Sequence, residues 1–103
     1  MFPLPKLGPL LTVDDFLPYV GAIYLVQATP KPVEIVLETI QRAPGESWLP
    51  REPFTLSFSS AWNALLLEGR YTLQPPGGSL VELHIIPTQT GPSERRYYHV
   101  VIN

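Results

Sequence analysis

Residues 54–59 read Phe-Thr-Leu-Ser-Phe-Ser and alternate strictly between large apolar and small polar side chains. Successive side chains of a β-strand point to opposite faces, so a period of two predicts a strand with one buried face. We expect the two phenylalanines and the leucine to point into a core, and Ser57 and Ser59 to face solvent. This segment is the clearest strand in the chain, and it indicates a β fold.

Five further segments have the same β-rich character, and every connection between the segments except 60–68 contains proline or glycine. No long helical pattern lies between them, so parallel crossovers are not expected. We predict an all-β, mainly antiparallel fold: a small six-stranded barrel or sandwich with one short N-terminal helix. The predicted strands cover residues 22–27, 33–40, 54–59, 69–74, 80–86 and 95–102.

The apolar face of each predicted strand supplies the predicted core. In residues 33–40, the alternation places Leu37 and Thr39 on one face and Glu38 and Ile40 on the other. The expected core consists of Ile23, Leu25, Val33, Ile35, Leu37, Phe54, Leu56, Phe58, Tyr71, Leu73, Val81, Leu83, Ile85, Tyr98, Val100 and Ile102.

The short helix precedes the strands, and residue types mark its boundaries. Thr12 is the expected N-cap, because its side chain can accept a hydrogen bond from the first helical turn. Gly21 is the expected stop, because glycine readily adopts the backbone conformation that ends helices. Pro18 falls between them and limits the helix to one or two turns. We place a single antiparallel β domain at residues 12–103.

Residues 1–11 form a predicted extended arm in which proline recurs at positions 3, 5 and 9. Proline fixes φ and removes a hydrogen-bond donor, so this segment is not expected to be helical. Its apolar side chains indicate that it lies against protein, either its own barrel or a neighbouring subunit, and the sequence leaves both alternatives open. Phe2, Leu4 and Leu7 are the predicted partner-binding residues of the arm.

Seven Lys and Arg residues against nine Asp and Glu residues give a net charge of −2. Binding to nucleic acids or anionic membranes relies on clustered basic side chains, and the one adjacent basic pair is at 95–96. We therefore expect neither nucleic acid nor membrane as a partner. No signal-peptide pattern opens the sequence, which predicts synthesis in the cytoplasm and leaves the final compartment open, a released or extracellular particle included.

The sequence contains no cysteine, which excludes thiolate nucleophiles and zinc–thiolate sites. Glu82 and His84 share a predicted strand face, but the spacing offers no further ligand, and no metal site is predicted. The serines lack the strand–turn–helix setting of a nucleophile elbow. We expect no catalytic residue, no cofactor and no enzyme activity.

Two tryptophans fall in irregular segments, Trp48 in the longest loop and Trp62 in the connection after the strand at 54–59. A loop tryptophan can anchor a protein partner or stack on a sugar ring. It can equally cap the open end of a barrel, because a small β core needs covering elements. Trp48 and Trp62 join the predicted partner-binding residues, with capping as the alternative role.

The motifs follow a recognisable order along the chain: Phe-Thr-Leu-x-Phe at 54–58, Gly-x-Tyr-x-Leu at 69–73, a strand ending at Pro87, and Arg-Tyr at 96–97 before a closing Asn103. Over residues 12–103 this order resembles a bacterial domain family of unknown function, with a departure at His84, where the family often has an aromatic residue. The resemblance implies a small β protein encoded near phage-tail-collar-like genes.

These observations favour a non-enzymatic structural or assembly module. Such a module would self-associate as a homo-oligomer or bind a tail-collar-like protein, in a phage-tail-like or filament assembly. The alternative hypothesis is a β domain that binds a carbohydrate or small ligand with its loop tryptophans.

Overall fold

The protein contains six antiparallel β-strands in a computed structural model that describes residues 11–42, 53–88 and 94–102. Hydrogen bonding joins the strands into a closed barrel in the order β1-β2-β3-β6-β5-β4. The predicted all-β antiparallel class is confirmed, and the chain adopts the barrel rather than the sandwich. The strands are β1 (Ile23–Val26), β2 (Val33–Arg42), β3 (Phe54–Ala61), β4 (Gly69–Gln74), β5 (Val81–Pro87) and β6 (Arg95–Ile102).

The ring is built from two three-stranded meanders, β1-β2-β3 and β4-β5-β6. A long ladder joins β3 to β6 over eight residue pairs, from Phe54↔Ile102 to Ala61↔Arg95. The second junction is short, since β1 and β4 pair through Leu25↔Gln74 and Val26↔Leu73. The order of the ring places β3 and β4 on opposite sides, so the connection at 62–68 crosses one end of the barrel.

Inward-facing side chains of all six strands fill the barrel. Most of the predicted core is confirmed, and Val33 and Tyr71 are half-buried against it. Leu11, Phe16 and Leu66, which lie outside the strands, were not predicted to be buried. The predicted residues that are buried are Ile35, Leu37, Phe54, Leu56, Phe58, Leu73, Val81, Leu83, Ile85, Tyr98, Val100 and Ile102.

The predicted inward face of β1 is wrong. Ile23 and Leu25 are 50% and 40% exposed, whereas Tyr24 and Val26 are buried. Residues directly opposite in an antiparallel pair share a face, and Tyr24 lies opposite the buried Ile35. Because both faces of this strand are apolar in sequence, alternation alone did not identify the inward one.

The predicted alternation along β2 fails beyond Leu37. The register with β3 shifts between Leu37 and Thr39, which marks a β-bulge at Glu38. The extra residue reverses the faces that follow, so Thr39 is exposed and Ile40 is half-buried against the core. A bulge leaves no mark in a simple period of two, and the sequence pattern did not predict it.

The short N-terminal helix consists of two successive 3₁₀ turns, Val13–Asp15 and Leu17–Tyr19. Thr12 is the N-cap as predicted, and its backbone N–H donates to Asp15 Oδ2 at 2.8 Å. Gly21 follows the second turn with a φ of +85°, a conformation that favours glycine. These turns place the ring of Phe16 in the core, 5.9 Å from that of Phe54.

We predict that β3 is intolerant of truncation on its inner face and tolerant on its outer face. Leu56 is buried, so Leu56→Ala should lower the free energy of unfolding by about 2–5 kcal/mol through the cavity it leaves. Ser57, the next residue, is half-buried, and Ser57→Ala should change that free energy by less than about 0.5 kcal/mol. Chemical denaturation measures both, and equal losses would contradict the assigned face.

Candidate functional site

Of the five predicted partner-binding residues, Trp62 lies in the described part of the chain. Phe2, Leu4, Leu7 and Trp48 lie outside the described residues. The candidate site is therefore built from Trp62 and from the surface around the connection at 62–68.

Trp62 lies on the outside of the barrel and is 47% exposed. The guanidinium carbon of Arg96 lies 4.1 Å from the centre of its ring, a cation–π contact, and Arg96 Nε donates to the Trp62 carbonyl oxygen. Trp62 thus does not cap the barrel. Leu66 covers that end instead, with 3% of its surface exposed.

The connection at 62–68 is held in place by one buried hydroxyl. Tyr98 Oη accepts a hydrogen bond from the backbone N–H of Leu66 at 3.1 Å, and it lies 3.2 Å from the carbonyl oxygen of Ala64. It is also 2.9 Å from Ser60 Oγ, which itself donates to the Ala64 carbonyl at 2.8 Å. This network fixes the backbone of a segment that has no regular structure of its own.

A recess of about 810 Å³ opens beside this connection, and we call it the hairpin groove. One wall is the turn at 28–32 with the outer faces of β1 and β2, and the other is the segment 61–67. Ile23 and Val36, which lie opposite each other in the ladder, both line it. Tyr71 lines it as well, and its hydroxyl donates to the Leu67 carbonyl at 2.8 Å.

Two leucines stand on the rim of the groove. Leu65 is 51% exposed and Leu67 is 70% exposed, while Leu66 between them points into the barrel. Three consecutive leucines in a connection cannot all face the core, so the sequence carried a signal for this patch. The groove itself was not predictable from the sequence, because it brings together segments that are distant along the chain.

The charged side chains of the groove are few and of both signs. Lys31 and Glu34 line it and are exposed, and Arg95 lines it where the segment 61–67 meets β6. Within the part of the chain that the structure describes, neither Lys31 nor Glu34 forms an ion pair. The groove therefore combines apolar walls with one cationic and one anionic group open to solvent.

Ser59 was predicted to face solvent, and this is wrong: it is fully buried. Arg95 Nε donates to Ser59 Oγ at 2.8 Å, and Arg95 Nη2 donates to the Ser59 carbonyl at 3.2 Å. Ser59 Oγ in turn donates to Glu38 Oε2, which the bulge in β2 brings within reach. Long side chains thus cover a small residue on an outer face. A covered hydroxyl with both functions engaged stabilises the surface and cannot attack a substrate.

Glu82 and His84 share a strand face, but each contacts a different charged residue. Arg70 Nη1 donates to Glu82 Oε1 at 3.2 Å, and His84 Nε2 lies 3.1 Å from Glu68 Oε2. No cluster of three or more metal-ligating side chains occurs among residues 11–42, 53–88 and 94–102. In the same residues, no helix has the length and apolar character needed to cross a membrane.

The Tyr24 hydroxyl is buried and has no hydrogen-bond partner among the residues that the structure describes. The Tyr24 ring makes edge contacts with Tyr19, at 5.9 Å, and Phe58, at 5.3 Å. Burial raises the pKa of this phenol, and the negative charge of Asp15 and of an ionised Tyr19 adds to the increase. Tyr24 is therefore a packing residue whose hydroxyl is a cost to stability.

Comparison with known families identifies the family of this barrel domain. The model of a domain of unknown function, DUF6916, matches residues 11–102, which include every strand described above. The chain belongs to this family. The family is described as a domain of unknown function, which confirms the predicted resemblance to such a family and assigns no role to the chain. No curated protein and no solved structure matches the chain.

We predict that removing the hydroxyl of Tyr98 and that of Tyr24 changes stability in opposite directions. Tyr98→Phe leaves the Leu66 N–H without its partner and should lower the free energy of unfolding by about 1–3 kcal/mol. Tyr24→Phe removes an unpaired buried hydroxyl and should raise it by up to about 1 kcal/mol. Denaturant melts compare the two variants, and hydrogen exchange at Leu66 should accelerate in Tyr98→Phe alone. Equal effects of the two variants would contradict the assigned hydrogen bonds.

Proposed function

We propose that this protein is a non-enzymatic assembly module that associates with copies of itself through the hairpin groove and its leucine rim. The observation that carries the proposal is the exposure of Ile23, Leu65 and Leu67 around one recess. Contiguous exposed apolar surface is the usual mark of an interaction site.

The packing supports a role for Leu65 and Leu67 in contacts with a partner. Leu66 already covers the end of the barrel, and hydrogen bonds with Tyr98 and Tyr71 hold the backbone of the connection without using the side chains of Leu65 and Leu67. Leu65 and Leu67 therefore contribute little to the fold of one chain. When a partner buries an exposed apolar side chain that is not part of the core, the removal of that surface from water lowers the free energy.

The polar groups around the groove favour binding over catalysis. Enzyme sites bring a nucleophile or acid–base pair together in an accessible pocket. Ser59, whose hydroxyl contacts the Glu38 carboxylate beside the groove-lining Arg95, is buried and held by that arginine. Lys31 and Glu34 are solvated surface charges.

The setting that we propose is a phage-tail-like or filament assembly, in which further contacts come from Phe2, Leu4 and Leu7 of the arm. A proline-spaced apolar segment has little conformational entropy to lose when it lies across a neighbour. A tail-collar-like protein is the second partner class. Support for this setting comes from the arm's sequence and from the motif resemblance.

We predict that the protein forms homo-oligomers and that Leu65→Ser with Leu67→Ser makes it monomeric. Light scattering after size exclusion, over a range of concentrations, measures the mass. At protein concentrations where the parent is itself dissociated, the double variant should melt close to the parent, because both side chains are exposed. Leu17→Ser is the matched control, since Leu17 is also exposed but lies on the 3₁₀ turns; it should keep the parent's mass. A parent that is monomeric at every concentration would refute self-association.

The exposure of Trp62 favours one alternative, a carbohydrate-binding domain. Arg96 covers one face of the indole, and a sugar ring could stack on the other. In that case oligosaccharides derived from chitin, starch or cellulose would quench the tryptophan fluorescence of the parent and not that of Trp62→Ala. We expect no saturable quenching by any of the three, which is the outcome that an assembly module gives.

A further inference from the structure

The hairpin groove combines a recess with exposed apolar side chains on one surface. The recess lies between the β1–β2 hairpin and the segment 61–67, and Leu65 and Leu67 of that segment line it with more than half of their surface exposed. An interface about a two-fold axis uses the same patch on both copies, so the patch must be complementary to itself. A recess lined by exposed leucines offers both the space and the apolar side chains for such a contact.

The groove also carries one exposed positive charge and one exposed negative charge, those of Lys31 and Glu34. Lys31 lies in the turn that precedes β2, and Glu34 is the second residue of that strand. Both are exposed, and neither has an opposite charge as partner within the described residues. One cation and one anion, three residues apart, can pair twice with the same two groups of a second copy. A partner of uniformly high charge would find one of the two groups repulsive.

We infer that two copies of this chain meet groove to groove about a two-fold axis, with Lys31 of each copy paired to Glu34 of the other. The inference rests on the proposed self-association and specifies its surface and symmetry. Reciprocal pairing of residues 31 and 34 places the axis beside Pro32 and Val33, which line the groove. The first residues of the two β2 strands then run antiparallel across the axis.

The apolar and charged groups have separate roles in this arrangement. The leucines of each rim enter the partner's recess and supply the apolar area removed from water. The two ion pairs favour this alignment of the hairpins, because alignments that place Lys31 or Glu34 opposite a neutral or like-charged residue lose them.

The test uses charge reversal in the full chain, with mass measured by light scattering after size exclusion. Lys31→Glu puts two like-charge contacts into a symmetric dimer, and so does Glu34→Lys. We expect each variant by itself to dissociate at least about tenfold more readily than the parent. An equimolar mixture of the two variants should regain the parent's mass, since both contacts in the mixed dimer then join opposite charges. Asp14→Lys is the control, an exposed charge reversal on the 3₁₀ turns, and should keep the parent's mass.

Each result either supports or overturns the pairing. Weakened single variants with a restored mixture support it, provided that circular dichroism shows every variant folded. Single variants that keep the parent's mass overturn it and leave self-association through another surface. Folded single variants whose mixture stays dissociated overturn the reciprocal contact. A parent that is monomeric throughout overturns both the inference and the proposed function.

Discussion

The position of β3 and β4 on opposite sides of the barrel is the constraint on which the rest of the surface depends. The chain must cross the barrel end between them, and it does so in the seven residues 62–68. An irregular segment over a hydrophobic core has backbone groups that need partners, and the Tyr98 hydroxyl provides for those of Ala64 and Leu66. With its backbone fixed there, the segment directs Leu66 inward and its two neighbouring leucines outward.

The groove follows from the second feature of the topology, the short junction between β1 and β4. Their ladder ends where the Gln27 N–H donates to the Thr72 carbonyl at 2.9 Å. Beyond that point the turn at 28–32 and the start of β4 no longer pair, and the recess lies between them with Tyr71 on one side. A longer β1–β4 ladder would close this gap and remove the recess. The candidate site thus lies beside the point where the short β1–β4 ladder ends.

The sequence predicted the fold wherever one face of a strand was apolar and the other polar. In β3 the alternation identified the buried side chains, and β6 was predicted with its observed limits at 95–102. Alternation failed in β1, where both faces are apolar, and in β2, where the bulge at Glu38 reverses the faces. Ser59 was misplaced for a different reason, since long side chains from β2 and β6 cover it. These three failures depend on contacts between strands, which a period along one strand does not contain.

The candidate site was less predictable than the fold, because its lining is spread over segments that are distant along the chain. Trp62 was selected as a tryptophan in a connection, whereas the residues that line the recess come from the β1–β2 hairpin, the segment 61–67, Tyr71 and Arg95. A net charge of −2 gives two copies little mutual repulsion and little long-range steering. In the proposed dimer the alignment of the copies therefore depends on local groups. Apolar contacts are kept when one copy shifts along the other, whereas the ion pairs of Lys31 and Glu34 are lost. In this interface, therefore, the two charges provide specificity and the leucines provide affinity.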